Sequence, residues 1–380
     1  MGPVKAGKLP LHPAVKEIKL WRGWQLPKSA PQRQGGNAGN LTKTSLMTKY
    51  IVTSLLPICL TICTSFGQSK EIKFLLDTTF AIMKHNAVNR DKVDWKNIEN
   101  YVYAEAVNKN AYQLGPMFRS LFQSLNDFHG YISCWDSTYR WHRPEATVSD
   151  SIKNEFKKGV FIQTKILQGN IGYLRVPSIS FAEKKELDKR AQSLNDSLCS
   201  LLDRNVLGIV LDLRLDNGGA MYPMILGLEQ LLLNGKLGSF ESKNASNWIL
   251  KDNGFYVDTM LLNSITPKCS IPNKNIPVAV LIGNGTGSSG EFLTIAFKKR
   301  ENTTFIGANT AGYITTTSGF QINDAVYLLL STGYGRDRAG QSYRDAITPD
   351  IYNKAPDNFN DIKNDQKVLE AIKWLRSRLN

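Results

Sequence analysis

The 380-residue chain is short of histidine and cysteine, and both shortages restrict its chemistry. It holds four histidines and five cysteines, and two of the cysteines, Cys59 and Cys63, fall in an apolar leader. The other three are widely spaced, so they predict neither a disulfide framework nor a zinc site. One bridge is compatible with an oxidising compartment, and Cys199 falls on the apolar side of a predicted helix. We expect no metal and no cofactor, because no ligand cluster is visible.

Positive charge is concentrated at one end of the chain. The formal net charge is +14, of which residues 1–67 carry +8 and the remainder +6. The remainder has no basic stripe interleaved with aromatic residues, so we expect no nucleic-acid partner. Charged residues make up only 21% and apolar residues 42%, which predicts a folded chain with a sizeable core.

The leader has the pattern of a secretory signal. Residues 47–67 start with a basic stretch, continue as the uncharged run Ile51–Cys63 and end in small residues, which predicts cleavage after Gly67. The run is shorter than the roughly 20 residues of a membrane-spanning helix. We therefore expect an exported protein, periplasmic or extracellular, with no stable membrane span after cleavage.

Two alternatives for the leader follow from the same residues. The apolar run could stay as an uncleaved anchor, whereas a lipid-modified Cys63 is disfavoured by the bulky Ile62 before it. Residues 1–46 are rich in Pro, Gly, Lys and Gln without periodicity, so we expect Met47 to be the true start and residues 1–46 to be an over-called upstream extension.

The rest of the chain divides into three predicted parts. Residues 68–130 show helical periodicity and predict a small helical N-terminal domain. Residues 158–356 alternate strands and helices, which indicates an α/β core with largely parallel strands, and residues 357–380 predict a C-terminal helix. Residues 238–276 form a long polar insertion of unassigned structure.

A glycine-rich turn after a buried strand carries the strongest chemical signal. The strand Val278–Ile282 is followed by three glycines, then by Ser288, Ser289 and a predicted helix that contains Glu291. A serine hydroxyl at a helix N-terminus lies beside N–H groups that can stabilise an oxyanion. An ordinary N-cap serine or a phosphate-binding turn fits the segment equally well.

Two further segments could complete an active site. The strand ending at Asp212 leads into Arg214, Asp216 and the pair Gly218-Gly219, a loop able to direct N–H groups at a carbonyl or simply to form a tight turn. His129 follows Leu125-Asn-Asp-Phe, and with His142 it is a candidate general base near neutral pH.

Together these segments resemble the tail-specific (C-terminal processing) peptidase superfamily, which includes the tricorn core. The resemblance covers roughly residues 70–377. It is carried by Leu125–His129, Asp212–Gly219, Ser288–Glu291 and the closing element from Asp337 to Asp350. The resemblance implies a crotonase-like layered core of ββα units behind the helical N-terminal domain.

The resemblance also implies a mechanism. By comparison with the tricorn-like branch, it implies that Ser288 is the nucleophile, His129 the base and Asp345 the acid that orients the histidine. The backbone N–H groups of Ser289 and of Gly218 or Gly219 would form the oxyanion hole. The expected substrate is a peptide or an unfolded protein, cleaved through an acyl-enzyme. The oligomeric state is not predicted.

Several positions depart from the pattern of these relatives. Tyr313 stands where many carry the lysine of a Ser–Lys dyad, and no lysine lies between Arg300 and Asn353. Asp216 replaces a more usual Asn, and Asp345 a more usual Glu. Only about 40 residues follow His129 before the first core strand, which leaves no room for the PDZ domain found in many relatives.

Other roles and functions stay open at this point. Ser289 is a rival nucleophile, and Glu291 is a rival orienting acid, although its helical spacing favours a brace within its own motif. A non-catalytic protein that binds an apolar ligand or peptide on the same fold is the main alternative function. An esterase is the second.

Overall fold

The computed structural model describes residues 69–142, 148–269 and 275–379. The predicted signal peptide and upstream extension lie outside the described residues. The described α-helices are α1 Lys70–Asn86, α2 Trp95–Glu105, α3 Gly115–Ser124, α4 Asp150–Lys158, α5 Lys184–Leu202, α6 Met221–Gly227, α7 Glu229–Leu232, α8 Ser289–Phe297 and α9 Gln366–Arg376. The strands are β1 Tyr131–Cys134, β2 Ser137–Tyr139, β3 Gln163–Leu167, β4 Ile171–Arg175, β5 Gly208–Asp212, β6 Gly235–Glu241, β7 Ser246–Lys251, β8 Gly254–Val257, β9 Met260–Ser264, β10 Val278–Ile282, β11 Thr303–Gly307, β12 Thr315–Asn323, β13 Val326–Asp337, β14 Ser342–Tyr343 and β15 Ile351–Tyr352.

One sheet has six strands in the order β15-β11-β10-β5-β4-β3. All of its pairs are parallel except β3 with β4. Strands β4, β5 and β10 are buried at every position, which explains their largely apolar sequences, because a parallel sheet covered on both faces has no solvent side. The prediction of an α/β core with largely parallel strands is confirmed for this sheet.

Alternate residues of these strands enter two different cores. Ile209 and Leu211 of β5 pack in one apolar cluster with α5, α6 and α8. Val210 packs in the other, which includes the buried face of α9. This period of two is the normal consequence of strand geometry. It directs the side chain of Asp212, at the end of β5, to the same face as α9.

The loops after β5 and β10 leave the sheet at the same edge. Their strands are parallel neighbours, with Leu281 opposite Asp212. The N–H of Gly287, in the second loop, donates to the carbonyl of Asp216 in the first at 2.9 Å. Open α/β sheets bind ligands at this carboxyl edge, and here two of the three predicted motifs meet.

The second sheet is antiparallel and is organised around the long strand β13. Its main order is β2-β1-β13-β6-β7-β8-β9, and β12 and β14 also pair with β13. Strands β6 to β9 supply the structure of the polar insertion that the sequence left unassigned. Strands β1 and β2 lie between the predicted helical domain and the predicted α/β core, where no element was predicted.

Helices α1, α2 and α3 pack against this second sheet. Their buried side chains form one cluster with residues of the strands, namely Ile132, Cys134, Phe320, Val326, Leu328 and Leu330. The helical segment therefore shares its core with β1, β12 and β13. Among the helices in the described part of the chain, none has both the length and the apolar character required to cross a bilayer.

A disulfide and a buried ionic network join elements that are far apart in the sequence. Cys199 of α5 forms a disulfide with Cys269, which follows β9, over a sequence separation of 70 residues. The buried guanidinium of Arg214 contacts Asp212, Asp357 and Asp365 at 2.8 Å each, so it links the end of β5 to the N-terminus of α9. Asp212 and Arg214 of the second motif therefore form a structural ion pair.

Candidate active site

Ser288 occupies a strained position at the start of α8. Its backbone has φ 49° and ψ −114°, an unusual conformation for a residue with a side chain. Such strain persists where the surroundings enforce it, and it is common at functional sites. The conformation follows from the short turn between β10 and α8, in which Gly283 to Gly287 must reverse the chain. It leaves the hydroxyl half-exposed at the N-terminus of a nine-residue helix.

The side chain of His129 reaches this hydroxyl from the other sheet. Its Nε2 lies 3.2 Å from Ser288 Oγ, although the two residues are 159 positions apart in sequence. Burial lowers the pKa of His129 below its ordinary value of 6.5, against the opposing effect of the Asp127 carboxylate. The ring is therefore neutral at neutral pH and able to accept the serine proton.

The other ring nitrogen begins a chain of hydroxyl groups. His129 Nδ1 lies 2.9 Å from Thr315 Oγ1, which lies 2.8 Å from Ser331 Oγ. Ser331 Oγ donates to Asp127 Oδ1 at 2.7 Å. Because a carboxylate only accepts hydrogen bonds, the chain has one consistent direction. This direction requires the ring proton of His129 to be on Nδ1, so Nε2 is the acceptor that faces Ser288. We call Thr315 and Ser331 the hydroxyl relay.

Asp127 is held firmly at the end of this relay. It is buried, and it also accepts the N–H groups of His129, Gly130 and Ser331, at 3.2, 2.7 and 2.9 Å. Asp127 belongs to the motif Leu125–His129, but the resemblance gave it no role. Its position two residues before the histidine was the one available signal.

Asp345 lies in a different environment from the one that the sequence predicted. In place of an Asp345–His129 contact, the ring Nδ1 is hydrogen-bonded to Thr315. Asp345 is exposed, and its Oδ1 accepts the backbone N–H of Ala346 at 2.8 Å. The residues just after it are held near the site instead, because Ile347 N donates to Thr310 Oγ1 at 2.8 Å.

Glu291 braces the nucleophile from within its own helix. It is fully buried, and its Oε2 accepts the N–H of Ser288 at 2.9 Å. Its Oε1 accepts Thr310 Oγ1 at 2.5 Å and Gly312 N at 2.7 Å. Burial raises the pKa of Glu291 to about 7, although these donors favour the carboxylate. The contacts match the bracing role that its spacing favoured.

The Gly-Gly loop lies directly beside the nucleophile. A Cβ on Gly218 would come within 2.8 Å of Ser288 Cβ, and one on Gly219 within 2.1 Å of Ile179 O. Only glycine fits such approaches at the positive φ of both residues, 123° and 108°. Gly218 N already donates to Asp216 Oδ1 at 3.2 Å, so this amide is engaged.

Asp216 and Ser289 complete the surroundings of the loop. Asp216 is fully buried, its Oδ2 has no hydrogen-bond partner in the described part of the chain, and burial holds its pKa well above the ordinary value. Ser289 Oγ donates to Gly219 O at 2.5 Å, so this hydroxyl is committed to the loop. Ser288, not Ser289, is in contact with the histidine.

Tyr313 packs against the base. Its ring meets that of His129 edge to face at 5.3 Å between centroids, and that of Phe128 at 5.2 Å. The tyrosine thus fills the space beside the imidazole with an aromatic wall. In residues 69–142, 148–269 and 275–379, no group of three or more metal-ligating side chains comes together.

Comparisons with known proteins identify a matching family and several relatives of this chain. Residues 170–353 match the model of a family described as Peptidase family S41. The nisin-resistance protein of Lactococcus lactis subsp. lactis is 31% identical over 215 residues, 56% of this chain and 62% of that protein. A carboxy-terminal-processing protease of Bartonella bacilliformis is 28% identical over 191 residues, 50% of this chain and 40% of that protein. The chain therefore spans between 40% and 62% of the length of these relatives.

A solved structure shares the fold over most of the chain. A lipoprotein from Streptococcus agalactiae superposes with a TM-score of 0.58 and 22% identity, covering 80% of this chain and 95% of that one. At this identity the likeness is one of fold alone. It extends beyond the family segment, to a larger share of the chain than residues 170–353 make up.

Proposed function

We propose that this protein is a serine peptidase that cleaves peptide bonds through an acyl-enzyme, because residues 170–353 match the model of peptidase family S41. The observation that carries the proposal is the 3.2 Å contact between Ser288 Oγ and His129 Nε2. It joins a strained serine at a helix N-terminus to a neutral imidazole, the pairing that activates a hydroxyl nucleophile. The substrate is a peptide or an unfolded protein.

The reaction proceeds in two balanced halves. His129 takes the proton of Ser288 as the oxygen attacks the carbonyl carbon. The imidazolium then gives that proton to the leaving amine as the C–N bond breaks, which leaves an ester on Ser288. Water, deprotonated by His129, attacks the ester, and the proton returns to the serine oxygen as the acid product leaves.

The developing oxyanion is stabilised by backbone amides. Ser289, in the first turn of α8, and Gly219 both line the cavity at Ser288, whereas the N–H of Gly218 is occupied by Asp216. Of the two glycines that the sequence offered, Gly219 is therefore the better donor. Preorganised donors of this kind act strongly because they need no reorganisation during the reaction.

The acid of the triad acts through the hydroxyl relay. Asp127 accepts from Ser331, Ser331 accepts from Thr315, and Thr315 accepts from His129 Nδ1. These contacts keep the imidazole in the tautomer that catalysis needs and stabilise the imidazolium. Thr315, Ser331 and Asp127 are positioning residues in this mechanism, and Asp345 lies outside it.

Replacing Thr315 by valine should lower kcat by about 10- to 150-fold and leave KM nearly unchanged. Valine keeps the shape but removes a hydrogen bond to a charged imidazolium, worth about 1.5–3 kcal/mol. The measurement is steady-state hydrolysis of a peptide, with its pH profile. Asp345→Asn is the comparison variant. Its kcat should stay within about twofold of that of the parent, because Asp345 is exposed and exchanges at exposed positions usually have small effects. If Asp345→Asn is the impaired variant, the sequence-based triad is restored.

The pH dependence should report the lowered pKa of His129. Burial disfavours the imidazolium, so the base form persists below the ordinary pKa of 6.5. We expect kcat/KM to be level through neutral pH and to fall only on acidification, with an apparent pKa below 6.5. Rates of labelling by a fluorophosphonate between pH 4.5 and 8 would measure it. A midpoint above 6.5 would mean that Asp127 outweighs burial.

The fold and compartment of the enzyme are part of the same proposal. We propose a crotonase-like layered core of ββα units over residues 158–356, preceded by a helical domain over residues 68–130 and followed by residues 357–380. Export to the periplasm or the exterior after cleavage of a signal peptide is supported by the Cys199–Cys269 disulfide, since such bridges persist in oxidising compartments.

One comparison separates peptidase, esterase and binding protein. Purified residues 68–380 are incubated with an unfolded polypeptide and, separately, with an acyl ester, and products are followed by mass spectrometry. Cleavage of the polypeptide that the Ser288→Ala variant lacks supports the proposal. Turnover of the ester alone favours an esterase. Inactivity of a folded protein toward both favours the binding protein.

A further inference from the structure

We propose that the cavity beside Ser288 selects a large, uncharged, apolar side chain on the residue whose carbonyl is attacked. The proposal rests on the serine peptidase function proposed above and adds its substrate preference. It is carried by the shape and the lining of this cavity, which do not depend on the identity of any relative.

The cavity has an apolar wall and a hydroxyl wall. Its volume is about 320 Å³, near the lower end of the roughly 300–1,000 Å³ of ligand pockets, and this suits one bulky side chain. The apolar wall is formed by Phe181, Met221, Tyr222, Phe240 and Phe292. The opposite wall carries the hydroxyl groups of Ser and Thr residues from β12, β13 and the β6–β7 hairpin. Within the described part of the chain, no Lys, Arg, Asp or Glu lines it.

The apolar wall is rigid before any substrate binds. Phe240 and Phe292 lie 5.9 Å apart between ring centroids, and both pack on the fully buried Trp248, at 5.0 and 5.6 Å. These edge-to-face contacts are the favoured geometry of aromatic pairs. A side chain entering the cavity therefore meets a preformed surface and causes little reordering, which favours tight selection.

The position of the cavity assigns it to the acyl side of the scissile bond. Gly219 and Ser289, the proposed oxyanion donors, line the same cavity as Phe292, which lies one helical turn beyond Ser289 in α8. A carbonyl oxygen held by those donors brings its own Cα alongside them. The side chain of that residue then points along α8 into the apolar wall.

A charged side chain would lose its hydration in this cavity and gain no counter-ion. Burial of an unpaired charge is among the most costly steps in binding. We therefore expect phenylalanine and leucine at the attacked residue to exceed lysine and glutamate in kcat/KM by at least about 100-fold. Alanine, which fills little of the space, should lie roughly 10- to 100-fold below leucine.

The test uses five peptides that differ only at one position: Phe, Leu, Ala, Lys or Glu. Mass spectrometry locates each cut, and Ser288→Ala is the control for contaminating peptidases. The expected result is cleavage immediately after Phe or Leu. Equal rates for all five, preference for a charged residue, or cleavage immediately before the apolar residue would each overturn the proposal.

A charge introduced at the cavity should shift the preference. Ser246 lines the cavity and is half-buried, so Ser246→Asp offers a counter-ion to lysine and should raise the Lys-to-Phe ratio of kcat/KM at least tenfold. Ser200→Asp, on the exposed surface of α5, is the matched control and should leave the ratio unchanged. An unchanged ratio in Ser246→Asp would count against the cavity as the selecting site.

Failure of this inference is distinguishable from failure of the proposed function. A fluorophosphonate that labels Ser288 while the peptides show no preference removes the specificity and keeps the peptidase. A folded protein that neither takes the label nor cuts any of the peptides contradicts the peptidase, and the specificity with it.

Discussion

Replacement of Ser288 by alanine is expected to lower kcat/KM for peptide cleavage by roughly 10⁴- to 10⁶-fold and to abolish covalent labelling by a fluorophosphonate. The hydroxyl that forms the acyl-enzyme is then missing, and only the oxyanion donors and substrate binding continue to act. Replacement of His129 by alanine should have an effect of similar size. The double variant should be little worse than either single one, since the two residues act as one unit.

The matched control is Ser289→Ala. This substitution keeps the backbone N–H and removes only the hydroxyl that donates to Gly219 O. It should retain labelling within about tenfold of the parent, the range expected for one lost hydrogen bond. Thermal unfolding of all variants verifies that each is folded. Labelling that survives in Ser288→Ala and disappears in Ser289→Ala would transfer the nucleophile to Ser289.

Arg214→Leu should destabilise the folded chain by about 3–5 kcal/mol, the usual cost of removing one partner from a buried ionic network. Asp212, Asp365 and Asp357 would lose a common cation. The first two have fully buried side chains, and Asp357 retains Lys367 at 2.6 Å. Burial raises the pKa of Asp212, and Arg214 outweighs this effect and holds the pKa at about 2. Without Arg214 the buried carboxyl group must either stay charged with no cation beside it or take up a proton, and both are costly. Unfolding by guanidinium chloride measures the change.

The control for this substitution is Arg204→Leu. Arg204 is exposed just after α5, so the same exchange there should change the free energy of unfolding by less than about 0.5 kcal/mol. A small effect at both positions would mean that the three carboxylates find water or protons as partners. In that case the network adds little to the link between β5 and α9.

The parts of the site that follow from local sequence were predictable. An apolar strand, a glycine-rich turn and a buried helix leave their mark in consecutive residues. The predicted strand Val278–Ile282, the strand end at Asp212 and a helix that contains Glu291 are therefore all present in the structure. The bracing of Ser288 by Glu291 also spans only three residues.

The contacts that cross between sheets were not predictable from the chain alone. Thr315 belongs to a run of three threonines, and nothing in it marks the one that meets His129. Strand β12, which carries Thr315, was not predicted. The next residue of the relay, Ser331, lies on the neighbouring strand β13. Asp345 was named as the orienting acid by resemblance to relatives, whereas the relay leads to Asp127 through the pairing of β12 with β13 and the loop before β1.

The nucleophile and the base belong to different sheets. Ser288 follows β10 of the six-stranded sheet, whereas His129 and its relay are fixed to β1, β12 and β13 of the other. The hydrogen bond between Ser288 and His129 therefore depends on how the two sheets pack against each other. In the proposed peptidase, a displacement of about 1 Å between the two sheets would lower turnover by roughly 100-fold, although each sheet keeps its own strands and helices. Heat, denaturant or a binding partner that loosens the packing between the two sheets should therefore abolish turnover before the protein unfolds.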